Sequence, residues 1–356
     1  MRRIIGGFIS IVVAAAISAQ PNDGLPAPLF EAYPERVLAR IELRNQQLRQ
    51  VAPRGIGGAT FEQVVQTVGR WKPGSKVTVA FYGGGPALHR DIANVAREWT
   101  RPGRANLQLD FGNETNGKFR EWSPNDTAFA ADIRIAFHEG GYWSYVGADS
   151  INTAVVKPNE PSMSLAGFHV QRPPDWQGVV IHEFGHALGF WHEHQHPQQP
   201  CDFRWNDDAG YVPTVDAFGQ YIRDPSGRRP GLYTVLGGPP NYWPRWKVDA
   251  NLAAITTSHM FDVSPFDNSS IMKYSFDGWM FVSGTNSHCY STADNNQLSQ
   301  RDIEAARRAY PMDPEQIQQF LTRQLRFVEQ LLEAGRLRLE TKAGLQDRLN
   351  RLKSSG

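Results

Sequence analysis

The sequence predicts an α+β fold, with a twisted mixed sheet and helices in an N-terminal lobe, one histidine-rich helix, and an irregular, mostly helical C-terminal lobe. Three observations carry this expectation. Short alternating apolar stretches surround one amphipathic stripe between residues 76 and 137, which is the signature of strands with a helix packed on them. Residues 179–191 follow as a helical run rich in histidine. Residues 195–265 then carry clusters of Pro, Gly and Asp with weak periodicity.

Taken in order, Arg2 and Arg3 precede an apolar run from Ile4 to Ser18, with Ala19 before the polar residues Gln20 to Asp23. This reads as an export signal over residues 1–19. The run is interrupted by Gly6, Gly7 and Ser10 and is shorter than the roughly 20 residues that span a bilayer, so stable membrane insertion is not expected. Residues 20–70 form a leader or propeptide. Val37, Leu38, Ile41, Leu43, Leu48 and Val51 give it one short amphipathic helix, and Gly55, Gly57 and Gly58 mark a break.

The main body is expected over residues 71–312. Val77, Val79 and Phe81 alternate within a strand from Lys76 to Tyr82, and Leu88, Ile92, Val95 and Trp99 make a helical stripe. Leu107, Leu109 and Phe111, then Ile133, Ile135 and Phe137, alternate again, and Ser164–Val170 is a further strand candidate. Val179–Trp191 reads as the histidine helix, and Asp302–Tyr310 as a short helix stopped by Pro311. Residues 313–356 carry Leu321, Leu325, Val328 and Leu332, an interruption at Gly335, and then Leu345, Leu349 and Leu352. That pattern predicts a helical hairpin folded back on the catalytic body, with a partner contact through these helices as the alternative.

Composition removes several classes. With 37 basic against 36 acidic side chains, nothing gathers nucleic acid. Two cysteines cannot build a disulfide scaffold or a thiolate metal site. In an exported chain Cys201 and Cys289 are expected to bridge, the alternative being two unpaired thiols.

The chemistry concentrates between His182 and His192. On a helix, His182 and His186 lie four apart on one face and can offer imidazole nitrogens to one metal ion. Glu183 is held beside the same point without being a ligand. Gly189 can take a left-handed conformation that ends the helix and lets His192 approach as a third ligand. Three imidazoles plus water form an open catalytic Zn2+ set, in contrast to a closed structural one. Zinc lowers the pKa of bound water to roughly 7, and a neighbouring carboxylate can take its proton and deliver it to a leaving amine. A bare H-E-x-x-H arises by accident in roughly one per cent of such chains, but adding Gly189 and His192 lowers this to a few in a hundred thousand.

The run from His182 to His192, with Glu193 after it, resembles the astacin family of metzincin zinc proteases. Ser270, Ile271, Met272, Lys273 and Tyr274 resemble that family's Met-turn, and Trp143, Ser144, Tyr145, Val146 and Gly147 resemble its W-S-Y-V-G segment. Leu298, Ser299, Asp302 and Tyr310 are similar to its last helix. The resemblance implies a metzincin fold, with Met272 beneath the metal and Tyr274 as a reversible extra ligand that stabilises the transition state. It implies that the strand holding Ser164 and Leu165 is the sheet edge along which an extended peptide lies. Glu193 is either linked to the N-terminus made by activation or is a supporting carboxylate. His194 and His196 are read as supporting histidines. Departures include Tyr142 for a cysteine, Lys273 for a histidine, and no F-x-G-D segment to place an aspartate on zinc, which leaves inhibition by that device open.

The expected function is a secreted or periplasmic zinc metalloendopeptidase: His182, His186 and His192 bind the metal, Glu183 is general base and acid, and Tyr274 assists. Its substrate would be a protein or peptide in extended conformation. The alternatives are a zinc amidase or endopeptidase acting on peptidoglycan peptides, and a non-catalytic binding protein that keeps zinc for stability.

Overall fold

The computed structural model describes residues 31, 33–51, 61–197, 200–255, 265–334 and 336–354. The expected export signal, residues 20–30, the Gly55–Gly58 break and Gly335 lie outside the described residues. Among the described residues, no helix is long and apolar enough to cross a membrane.

Helix α1 (Glu35–Val51) and helix α2 (Phe61–Gly69) precede the sheet. Strand β1 (Lys76–Tyr82), helix α3 (Pro86–Ala96) and β2 (Gln108–Asp110) then form a parallel crossover unit. A small hairpin, β3 (Gly112–Asn113) with β4 (Lys118–Phe119), turns at Gly117, whose φ of 64° suits a residue without Cβ. Strands β5 (Ile133–Ala136), β6 (Tyr142–Ser144) and β7 (Met163–Leu165) complete a five-stranded sheet of order β2-β1-β5-β7-β6. All neighbours are parallel except β6, which pairs antiparallel with β7.

Strand β5 is buried at every position, as expected for a parallel strand covered on both faces. Its Arg134 is wholly buried and tolerated because its guanidinium donates to the carbonyls of Ala131, Ser150 and Glu160 at 2.8–3.0 Å. Burial pulls its pKa to about 10.

Two expectations need correcting here. The strand holding Ser164 and Leu165 is interior, between β5 and β6, and the edge is β6 with Trp143 and Ser144. Edge identity depends on pairing between distant segments, which local alternation does not encode. The same strand ends at Leu165 instead of Val170, because Gly167 turns the chain at φ 74° and gives its N–H to Phe137.

Helix α4 (Trp176–Ala187) packs on the sheet in the main core with Phe81, Ile92, Trp99, Ile135 and Leu165. The indoles of Trp99 and Trp71 donate to the carbonyls of Ile181 and Ala187 at 2.7 and 2.8 Å, which anchor its last turns. A second core lies in the following lobe, built from Phe203, Leu232, Trp243, Val248, Phe276 and Phe281. Its regular elements are the short helices α5 (Leu232–Gly237) and α6 (Arg245–Leu252), joined by irregular chain. Cys201 and Cys289 are bridged there, with Cα atoms 5.0 Å apart, which closes a separation of 88 residues around the lobe. Helix α7 (Gln300–Ala309) starts on a capping box made by Ser299 and Asp302.

The C-terminal hairpin is present as α8 (Pro314–Glu333) and α9 (Leu339–Lys353). It packs on α1 and α2 through Leu48, Val65 and Val68, and touches the sheet-bearing body through polar contacts such as Arg351 with Asp132.

Candidate active site

Three histidines converge because of how α4 begins and ends. His182 and His186 lie one turn apart, and the helix stops at Ala187. Gly189 then adopts φ 92°, its N–H reaching the carbonyl of His186 at 2.7 Å while Phe190 N–H reaches that of Gly185 at 3.0 Å. The turned chain brings His192 back, so that its Nε2 sits 3.0 Å from His186 Nε2.

The tautomers follow from the partners. His182 Nδ1 faces the carbonyl of Ile271 at 2.7 Å and His186 Nδ1 faces that of Phe190 at 2.8 Å. A nitrogen facing a carbonyl carries the proton, which leaves each Nε2 lone pair aimed inward. His182 Nε2 is buried. Three inward imidazole nitrogens are the donor set of a metal ion such as zinc, so the residues present fit it.

A fourth group was not expected. Glu31 joins His182, His186 and His192 in one cluster whose ligand atoms all lie within 4.8 Å of one another. Its carboxylate is 3.1 Å from His182 Nε2 and 3.7 Å from the Nε2 atoms of His186 and His192. The F-x-G-D segment is absent from the sequence, yet Glu31 lies among the histidine nitrogens. The only local signal was an acid after Leu29 and Phe30 in a proline-bounded stretch.

Glu183 is 1% exposed. Burial pushes its carboxyl well above the ordinary range, and Glu31 adds its charge and a hydrogen bond. For Glu31, burial alone would act in the same direction. Hydrogen bonds to His182 and His192 and the imidazole charges outweigh it and hold Glu31 well below that range. Tyr274 Oη lies 2.6 Å from His192 Nε2 and donates to Glu31 Oε2 at 2.9 Å.

The floor of the site is the turn from Ser270 to Tyr274. Asp302 at the start of α7 accepts from Ser270 Oγ at 2.6 Å and from Ile271 N–H at 2.9 Å, so one carboxylate caps a helix and holds the turn. Glu193 N–H donates to the Met272 carbonyl at 2.8 Å, and Glu193 Oε1 accepts from Asp267 N–H at 2.7 Å. Burial pushes the Glu193 carboxyl up to about 7. Lys273 is buried, its Nζ donating to the Tyr274 carbonyl and Ser291 Oγ at 2.9 and 3.0 Å. His194 is wholly buried, with its ring 4.9 Å from those of His192 and Tyr274, and His196 is also buried. Neither belongs to the cluster of metal-ligating atoms.

Met272 packs directly on Gly185, between the two helical histidines. A Cβ at Gly185 would stand 2.3 Å from Met272 Sδ and 2.9 Å from the Trp99 ring. Gly185→Ala is therefore expected to cost about 1–3 kcal/mol through overpacking. Thermal unfolding checks this, and an unchanged midpoint would mean that the turn yields freely.

The model of the Astacin peptidase family matches residues 109–203, the span that carries the W-S-Y-V-G segment and the three histidines. The chain is astacin-like. Among solved structures, one of myroilysin is similar at 29% identity, over 69% of this chain and 97% of that chain, with a TM-score of 0.50. A second myroilysin structure gives 27% identity over 68% and 86% of the two chains, with a TM-score of 0.41. The hatching-enzyme zinc-protease of the medaka fish Oryzias latipes gives 18% identity over 68% and 94%, with a TM-score of 0.35. No curated protein sequence matches. The mixed sheet, histidine helix and helical second lobe of this astacin-like chain are consistent with the metzincin architecture.

Proposed function

We propose that this chain is the latent form of an exported zinc-dependent endopeptidase, with residues 1–19 as signal, 20–70 as inhibitory leader, 71–312 as catalytic domain and 313–356 as a helical extension. The observation that carries the reading is the convergence of three imidazole nitrogens, Glu183 and the Tyr274 hydroxyl on the point where the Glu31 carboxylate sits. The similarity to astacin-family zinc metalloproteases supports the reaction class, and the Cys201–Cys289 bridge supports an oxidising compartment.

His182, His186 and His192 would hold one zinc ion. When bound, zinc supplies a Lewis acid that polarises the scissile carbonyl and makes water acidic enough to attack near neutral pH. Glu183 takes the proton of the attacking water and returns it to the leaving amine, a role suited to a buried carboxyl whose pKa is raised. Tyr274 donates to the carbonyl oxygen as charge builds on it, once Glu31 has left. The carbonyls of Ile271 and Phe190 keep two imidazoles in the binding tautomer. Strand β6 is the sheet edge on which an extended peptide would pair by main-chain bonds once Tyr33, which donates to the Ser144 carbonyl, has left.

The test is hydrolysis of a quenched-peptide library by the protein lacking residues 1–19, before and after limited proteolysis of the leader, with and without 1,10-phenanthroline. Cleavage is expected only after leader removal, to be abolished by the chelator and to return with zinc. Cleavage indifferent to the chelator, or none by a leader-free protein that contains zinc, would overturn the reading.

A further inference from the structure

Helix α1 is held in two different ways along its length. Toward the body, arginines spaced four apart each meet a carboxylate: Arg36 with Glu139 at 2.7 Å, Arg40 with Glu160 at 2.5 Å, and Arg44 with Asp149 at 2.6 Å. The first of these pairs is solvent-exposed and holds weakly. At the far end the contact is apolar. Leu48 is 4% exposed and packs among Phe327, Val328 and Leu331 of α8 and Leu345 and Leu349 of α9. Beside it Thr341 Oγ1 donates to Gln47 Oε1 at 2.5 Å, a buried polar pair that fixes the register of α1 on α9.

This hydrophobic cluster is built from α1, α2, the hairpin and Leu337 after α8, and no described residue of 71–312 belongs to it. The apolar face of the hairpin is thus covered by the leader segment. An amphipathic hairpin needs such a cover, and here the cover includes α1, which begins four residues after Glu31.

We propose that the C-terminal hairpin is the docking site of the leader helix: it grips residues 35–51 and so keeps Glu31 among the three imidazoles. The idea rests on the latent-enzyme reading above. The 17 residues of α1 span about 25 Å, so the grip acts far from the reacting groups and can be altered without touching them. Loss of the Leu48 contact frees the distal end of α1, after which the arginine pairs and the packing of Val37 and Ile41 on Trp143 and Tyr145 oppose its departure. Partners other than the leader are outcomes that the test separates.

The test uses the full chain loaded with zinc, comparing Leu48→Asp with the parent, and Leu48→Ala as the milder form should the charge disturb the hairpin itself. Hydrogen exchange by mass spectrometry is read over residues 35–51 and over α4, together with hydrolysis of a quenched peptide by uncut protein. Exchange in 35–51 is expected to rise roughly a hundredfold, in proportion to the lost core contact, and uncut activity to rise with it. Exchange in α4, and activity after leader removal, stay at the parental level. Unchanged exchange in 35–51 for both variants would overturn the proposal. Glu31→Ala serves as the control: if it uncovers activity and the Leu48 variants do not, the docking idea fails while latency stands. If it uncovers none, Glu31 is not the latch, and leader exchange alone still decides whether the hairpin grips α1.

Discussion

Glu183→Gln in the leader-free protein is expected to lower kcat by about 10²–10⁴-fold while metal content and fold are kept. The amide has nearly the shape of the carboxyl and can neither take the proton of the attacking water nor return it to the amine. Retention of fold follows from the site itself. Glu183 Oε2 is buried without a hydrogen-bond partner, and the carboxyl is driven toward its neutral form by burial and by Glu31. A neutral amide therefore replaces a group that already resists ionisation in the latent state. The check is kcat/KM on a quenched peptide beside zinc content by elemental analysis and a thermal melt. A variant that holds zinc, melts like the parent and turns over at the parental rate would remove Glu183 from the proton path.

What was legible in the sequence is what depends on near neighbours. The spacing of His182 and His186, the left-handed turn at Gly189 and the return of His192 follow from helix geometry and one glycine, and all are found. Strands β1 and β5 follow from alternation. The limits of α4 shifted from Val179–Trp191 to Trp176–Ala187, because the glycine turn consumes the residues that alternation assigned to the helix. The missed features are those made by distant chain. Helix α2, after the glycine break, was not anticipated, and it is covered by α8, which is some 250 residues away in sequence. Asp302 holding the Met-turn was visible only as part of the last helix. Glu31 had no motif, and its meaning comes entirely from the His182 imidazole it meets across the fold.

Glu31→Ala is expected to release hydrolysis in the uncut chain. The carboxylate accepts from Tyr274 and faces all three imidazoles at 3.1–3.7 Å. Truncating one partner of a buried charged pair commonly costs 2–5 kcal/mol, which corresponds to a rise in the open population of about 30- to several-thousandfold. Glu31→Gln keeps the shape and loses the charge, so it should fall between the two. The pH dependence has a definite sign. Glu31 is held below its ordinary value of 4.5, so its contribution to the closed state is complete above that value and is lost as pH falls through the folded-state pKa. Acid should therefore open the parent and leave the Glu31→Ala chain indifferent. Uncut protein is assayed at neutral pH after a brief acid exposure, with intact mass confirming that the leader is still attached. If Glu31→Ala stays silent until its leader is cut away, residues 35–51 block the cleft by bulk alone and the carboxylate is incidental. If it is active while still intact, the contact between Glu31 and the histidines is the latch.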